Sequence, residues 1–141
     1  MAFGGFDDDD ALREAGRRWL TLGWRDNDTA RLRALAAPDY RYDLVGRDAE
    51  VGLDWYLGFL KTTHQAVEGL DVEFRDLLVD GDDVAVHMLI RGRQTGKLFG
   101  IDSRGASGAI DVMTRLEFRD GKVLRQSTIV DFAALQAGLR R

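Results

Sequence analysis

Residues 110–130 read Ile110-Asp111-Val112-Met113-Thr114-Arg115-Leu116-Glu117-Phe118-Arg119-Asp120-Gly121-Lys122-Val123-Leu124-Arg125-Gln126-Ser127-Thr128-Ile129-Val130. Two runs that alternate polar and apolar residues flank a single Asp-Gly pair. Both positions of that pair accept positive φ, so it favours a two-residue hairpin turn. The stretch predicts strands over Ile110–Arg119 and Val123–Val130. Upstream, Gly100–Gly108 reads as a glycine-rich loop and Val84–Thr95 as a long strand. Gly81-Asp82 marks another turn, and Leu70-Asp71-Val72-Glu73-Phe74 alternates as a half-buried strand does.

Before Leu70 the period lengthens. Leu12, Ala15, Trp19, Leu22 and Gly23 follow the spacing of one helical face, ending near Trp24–Asn27. Asp7–Asp10 stand just ahead of it, where acidic side chains cap free N–H groups and meet the helix dipole. A second helix over Thr29–Ala36 is expected to stop before Pro38, because the residue preceding proline is pushed out of the helical region. Asp39–Val45 reads as a short strand. A third helix over about Val51–Val67 carries Leu53, Tyr56, Leu57, Leu60, His64 and Val67 along one side, and Phe132–Leu139 reads as a short closing helix. Helices first and strands after them imply an α+β domain with the helices on one face of an antiparallel sheet. Glycine breaks at Gly92 and Gly96 suit a sheet that curls around those helices and leaves a pocket between.

The 141 residues fit one domain, 1–141, large enough to bury a core without staples. There is no cysteine, which removes thiol catalysis, thiolate metal sites and disulfides together. Composition is that of a soluble globular protein, 45% hydrophobic and 31% charged, with a formal net charge of -4. No basic stripe suggests nucleic acid. No apolar run approaches membrane-spanning length, and residues 1–7 lack the features of a signal peptide, so a cytoplasmic protein is expected.

From Arg91 onward the chain resembles a known family. Gly92-Arg93-Gln94-Thr95-Gly96-Lys97-Leu98-Phe99-Gly100-Ile101 is similar to the G-T-H-T-G-x-x-x-G-I segment of SnoaL-like polyketide cyclases, which belong to the nuclear transport factor 2-like superfamily. Phe118-Arg119-Asp120-Gly121-Lys122-Val123 resembles the family's F-x-D-G-K-I, and Asp131 falls at the aspartate that closes E-H-W-x-x-x-D. Asn27-Asp28 and Ala37-Pro38-Asp39-Tyr40 match weaker signals. The resemblance implies a cone-shaped, curved antiparallel sheet wrapped around N-terminal helices. It also implies a homodimer through the exposed face of the sheet. Two departures concern chemistry: the family's His-Trp pair is Gln126-Ser127, and the histidine of G-T-H-T-G is Gln94.

The resemblance makes Asp131 the first catalytic candidate, as the acid/base of an aldol-type ring closure. Burial against an apolar wall would raise its carboxyl toward the working pH; the competing reading is a cap for the closing helix. Asp43, in Asp43-Leu44-Val45-Gly46, resembles the proton-shuttling aspartate of ketosteroid isomerases, against the reading of a solvated loop residue. Glu117 shares a strand face with Asp111, Met113 and Arg115, a face that either lines the pocket or meets solvent or a partner. Expected substrate contacts are Trp19, Tyr40 and Tyr56 as an aromatic wall, with His64, His87 and Arg115 as polar partners. Each has an alternative: core packing for the aromatics and His64, surface pairing for Arg115.

Two histidines and no cysteine offer no ligand spacing for a metal, and no phosphate loop is present, so no cofactor is expected. The expected function is a cofactor-independent cyclase or isomerase acting on a hydrophobic, polyketide-like molecule. The Arg-between-two-Asp set of this fold's epoxide hydrolases finds no place here. A non-catalytic binding or dimeric interaction module is the alternative, and templating by pocket shape alone is a third.

Overall fold

The computed structural model describes residues 8–45, 50–131 and 133. Helix α1 spans Asp9–Trp24, α2 Thr29–Leu35 and α3 Leu53–Ala66; strands are β1 Ala36–Leu44, β2 Val67–Asp80, β3 Asp83–Gln94, β4 Ser107–Arg119 and β5 Lys122–Val130. The closing helix expected over 132–139 lies outside the described residues. Asp8 caps α1: its carboxylate accepts from Ala11 N at 2.7 Å, with Asp9 and Asp10 in the first turn. Most of the aspartate run therefore stabilises a helix start. Asp28 caps α2 in the same way.

One five-stranded sheet forms, in the order β1-β5-β4-β3-β2. Three pairings are antiparallel and join neighbours in sequence. The fourth differs from the expectation: β1 runs parallel to β5, across the helices and strands between them. The strand expected from Asp39 instead begins at Ala36 and passes through Pro38. It does so at an edge of the sheet, where the register shifts between Ala36 and Arg41, and a residue without an N–H is tolerated in such a place. The β2–β3 pairing shifts register twice, between Glu68 and Asp71 and between Phe74 and Asp76, and such bulges bend and twist a long ribbon.

The hairpin signals hold in detail. Asp120 and Gly121 both have positive φ, 54° and 77°, between the paired Arg119 and Lys122. Gly81, at φ 62°, turns β2 into β3 between Asp80 and Asp83.

On β4, Val112, Thr114, Leu116 and Phe118 are buried, whereas Asp111, Met113 and Arg115 are exposed and Glu117 is partly so. The facing choice left open by the sequence is thereby settled. The inward face meets the helices around Leu20 of α1, Leu32 of α2, Leu60 of α3, Val84, Met88 and Leu116. Each side chain of this kind contributes roughly 1.5–3 kcal/mol when removed from water. Gly16 lets α1 approach the sheet, since a Cβ there would sit 3.3 Å from Val84 Cγ1.

Candidate functional site

The inward face divides into a packed part and an open part. In the packed part Trp19, Tyr40 and Tyr56 surround the Gln126 side chain. Gln126 Oε1 accepts from Trp19 Nε1–H at 3.0 Å and from the Tyr40 hydroxyl at 2.8 Å, while its Nε2 donates to the Tyr56 hydroxyl at 3.4 Å. Tyr42 packs tilted against Tyr56, with ring centroids 4.7 Å apart, and Trp19 lies nearly parallel to Tyr56 at 6.0 Å. All of these side chains are buried. Burial pushes the Tyr40 and Tyr56 hydroxyls well above their usual range, so both stay neutral. Beside this knot the Thr114 and Thr128 hydroxyls pair at 3.0 Å.

The open part is an apolar cleft between α1, α3 and the far ends of β3, β4 and β5. The cavity inside it is about 90 Å³. Trp24, Phe59, Leu70, Ile90, Val112 and Val130 supply much of its wall, and Leu98 and Phe99 bring in the β3–β4 connection. Its lining is mostly apolar with a few polar groups, as in small-molecule sites. Here the polar side chains are Thr63, Arg91 and Gln94. Thr63 donates to Phe59 O at 2.8 Å, and the exposed Arg91 pairs with Glu73 at 3.2 Å. Gly92 keeps the wall thin: a Cβ there would lie 2.4 Å from Val67 Cγ1. Phe99, at φ 50°, reaches the mouth with its ring 5.8 Å from Phe59.

The residues singled out from sequence distribute unevenly over this geometry. Trp19, Tyr40 and Tyr56 do assemble, but as the knot around Gln126, and none of them lines the cleft. His64 is partly buried and its Nε2–H donates to Gly23 O at 2.9 Å, the bond of a satisfied core histidine. His87 lies on the outward face, its Nε2 2.7 Å from Asp111 Oδ1, and Arg115 pairs there with Asp83 at 2.7 Å. These three side chains are likewise absent from the cleft lining, because alternation on β3 and β4 turns His87 and Arg115 away from the helices.

The carboxylates do not converge in the cleft. Asp43 and Glu117 belong to the outward face, Asp43 in register with Ser127 and Glu117 with Arg125. Glu117 sits in a polar depression with Arg115, Arg125 and Ser127, 3.9 Å from Arg115. Asp131 directly follows Val130, a residue of the cleft wall, and is itself exposed. No carboxylate occurs among the described residues that line the cleft. Nor does any group of three or more His, Asp or Glu suited to a metal occur among the described residues. None of the described helices is long and apolar enough to cross a membrane.

Sequence reasoning missed Phe59, Leu98 and Gln94 as parts of a site. Gln94 and Gln126 had a signal, since both occupy positions where the resembled family carries histidine. Phe59 and Leu98 had none beyond being apolar.

Comparison with known proteins agrees with this geometry. The family model of the SnoaL-like polyketide cyclases matches residues 14–139. Among solved structures, TsrD from Streptomyces laurentii superposes with a TM-score of 0.81 at 22% identity, covering 94% of this chain and 97% of that one. A protein assigned to the SnoaL-like polyketide cyclases from Jannaschia sp. CCS1 gives 0.82 at 22% identity, covering 96% and 97%. An epoxide hydrolase of the LEH-like type from M. tuberculosis gives 0.72 at 18% identity, covering 94% and 91%. At these identities the likeness is one of fold. No curated protein sequence matches the chain.

Proposed function

Because the chain belongs to the SnoaL-like polyketide cyclase family, we propose that it is a cofactor-independent cyclase or isomerase for a hydrophobic, polyketide-like small molecule. The observation that carries this reading is the apolar cleft, whose wall includes Val130, the residue immediately before Asp131. The step requires a ligand seated against Val130 to bring its reacting carbon to the carboxylate of Asp131, the residue after β5. Asp131 takes a proton from a carbon next to a carbonyl, and the enolate electron pair attacks a second carbonyl of the same molecule. The new alkoxide then recovers the proton, so the step is an isomerisation with no co-reactant. Asp43 and Glu117, on the opposite face of the sheet, have no part in that step.

Positioned acid/base groups contribute about 10²–10⁴-fold to rate. With a panel of linear and polycyclic polyketone substrates, Asp131→Asn is expected to slow ring closure by that factor while ligand affinity changes little. Equal rates for wild type and variant would remove Asp131 from the mechanism.

One observation favours a second reading, a ligand-binding module without turnover: the described cleft lining holds no carboxylate. Binding of the same panel without any product would establish it.

We also propose that the protein works as a homodimer in the cytoplasm. Met113 and Ile129, paired across β4 and β5, and Val45, just past the end of β1, are exposed apolar residues, each about half accessible. Sedimentation is expected to give a dimer in wild type and a monomer in Met113→Asp. A wild-type monomer at high concentration would withdraw the proposal.

A further inference from the structure

Two glycines, Gly92 and Gly108, face each other across β3 and β4, and both line the cleft. A glycine inside a strand weakens it, and it marks a positive φ, a bulge, or the close approach of a ligand or of another part of the chain. For Gly92 the cause is packing. A Cβ there would lie 2.4 Å from Val67 Cγ1 and 3.3 Å from Glu68 O, so β2 itself fills the space. Gly108 has none of the structural causes. Its φ is not positive, and the β3–β4 register runs without a shift from Ser107 to Glu117. A Cβ built on Gly108 would meet nothing within 4 Å among the described residues. Alternation along β4 directs that Cβ to the same side as Ile110 and Val112, which both line the cleft. The open space in front of Gly108 therefore belongs to the cleft, and the close approach of a ligand is the cause that remains.

The geometry points to Gly108 as a specificity-determining residue: a hydrogen in place of a side chain admits the edge of an apolar ring of the ligand against the β4 backbone. This rests on the reading of the cleft as a hydrophobic small-molecule site. Ile90 and Ile110 form the next inward pair of the ladder, and Leu70 Cδ2 lies 3.5 Å from the Cβ position of Gly92. With such neighbours the group that fits is an unsubstituted hydrocarbon edge. Val130 pairs with Val112, so the chain leaves β5 toward Asp131 at the same end of the sheet that holds Gly108. How deeply a ring seats against Gly108 thus decides which carbon of the ligand lies at that end.

The test uses 2-naphthol as probe and compares wild type with Gly108→Ala, Gly108→Leu and Ser107→Val, the last altering the outward side one residue earlier. Binding is followed by calorimetric titration and stability by urea unfolding. Gly108→Leu is expected to weaken 2-naphthol about tenfold or more, the factor that a misfit of methylene size produces in an apolar pocket. Gly108→Ala is expected to show a smaller loss, and Ser107→Val none. Stability is expected to move the other way. The urea midpoint of Gly108→Ala stays level or rises, because the new Cβ meets nothing and the unfolded chain loses freedom. A glycine kept for folding alone would show the reverse, a lower midpoint with affinity intact. Should Gly108→Leu fail to fold, Gly108→Ala decides by the same opposition of signs. Wild-type affinity preserved in Gly108→Leu overturns the inference while leaving the apolar site standing. So does an equal loss in Ser107→Val, or a midpoint of Gly108→Ala that falls in step with affinity. Failure of 2-naphthol to bind wild type overturns the reading of the cleft itself, and the inference with it.

Discussion

Two buried glutamines sit on the inward face of one sheet, and their surroundings could hardly differ more. Gln126 is enclosed by Trp19, Tyr40 and Tyr56, with its oxygen accepting twice and its amide nitrogen donating to a third ring. Gln94, in the wall of the apolar cleft, uses only its side-chain nitrogen, on two carbonyls of the β3–β4 connection, and its buried oxygen has no partner among the described residues. The same side chain closes one half of the interior and leaves the other half open. Polar satisfaction, rather than polarity, distinguishes the two positions.

The sharpest break in that contrast is Gln126→Leu. It strands the Trp19 N–H and the Tyr40 hydroxyl inside the core, and each buried donor left unpaired costs roughly 1–3 kcal/mol. The expected loss is about 3 kcal/mol in urea unfolding, beyond that of Gln94→Leu, which frees the carbonyls of the half-buried Gly96 and Ile101, the latter still accepting from Leu98 N. Equal losses would mean that the two amides play the same structural part.

A smaller effect, centred on the open half, is expected from Gly92→Ala. Its Cβ would meet Val67 Cγ1 at 2.4 Å, and Val67, stiff at χ1, must give way. Overpacking of this kind costs about 1–3 kcal/mol. Because Val67 also lines the cleft, probe affinity is expected to fall together with stability. Loss of stability with affinity intact would separate the strand from the site.

The smallest effect refines the packed half. Tyr40 has a folded-state pKa raised by burial above its ordinary value of 10.0. An unfolded tyrosine ionises first, so this contribution is complete below about pH 10 and is lost as pH rises from there toward the folded pKa. Tyr40→Phe is expected to lower neutral-pH stability by about 1 kcal/mol through the lost bond to Gln126. It is also expected to flatten the alkaline decline, which pH-dependent urea midpoints measure. An unchanged alkaline slope would show that Tyr40 does not contribute to it.

Much of the architecture was legible because it depends on local chemistry. The change from helical spacing to alternation near Leu70, the capping aspartates and the Asp120-Gly121 turn each act within a few residues. The parallel β1–β5 pairing was not legible, because the partners lie far apart in sequence and Pro38 argued against a strand that an edge position permits. The site was harder still. On β4 the inward set contains Thr114 and the outward set Met113, so polarity alone could not say which face met the helices. Thr114 is at home inside because Thr128 faces it, a pairing that exists only after register is set. Asp43 and Glu117 were sound choices by residue type, and alternation turned them outward. Trp24 and Phe59 meet Gln94 only once α1, α3 and the strand ends come together.

The central claim is that the cleft beside Gln94, and not the aromatic knot or the outward face, receives the ligand. The most direct test is a map of backbone amide NMR shifts during titration with 2-naphthol. Shifts are expected at Gly92, Gln94, Leu98, Phe99 and Gly108–Val112, with Trp19, Tyr40 and Gln126 unmoved. Saturable shifts centred instead on the outward row of Met113 and Ile129, or on the knot, would contradict the account.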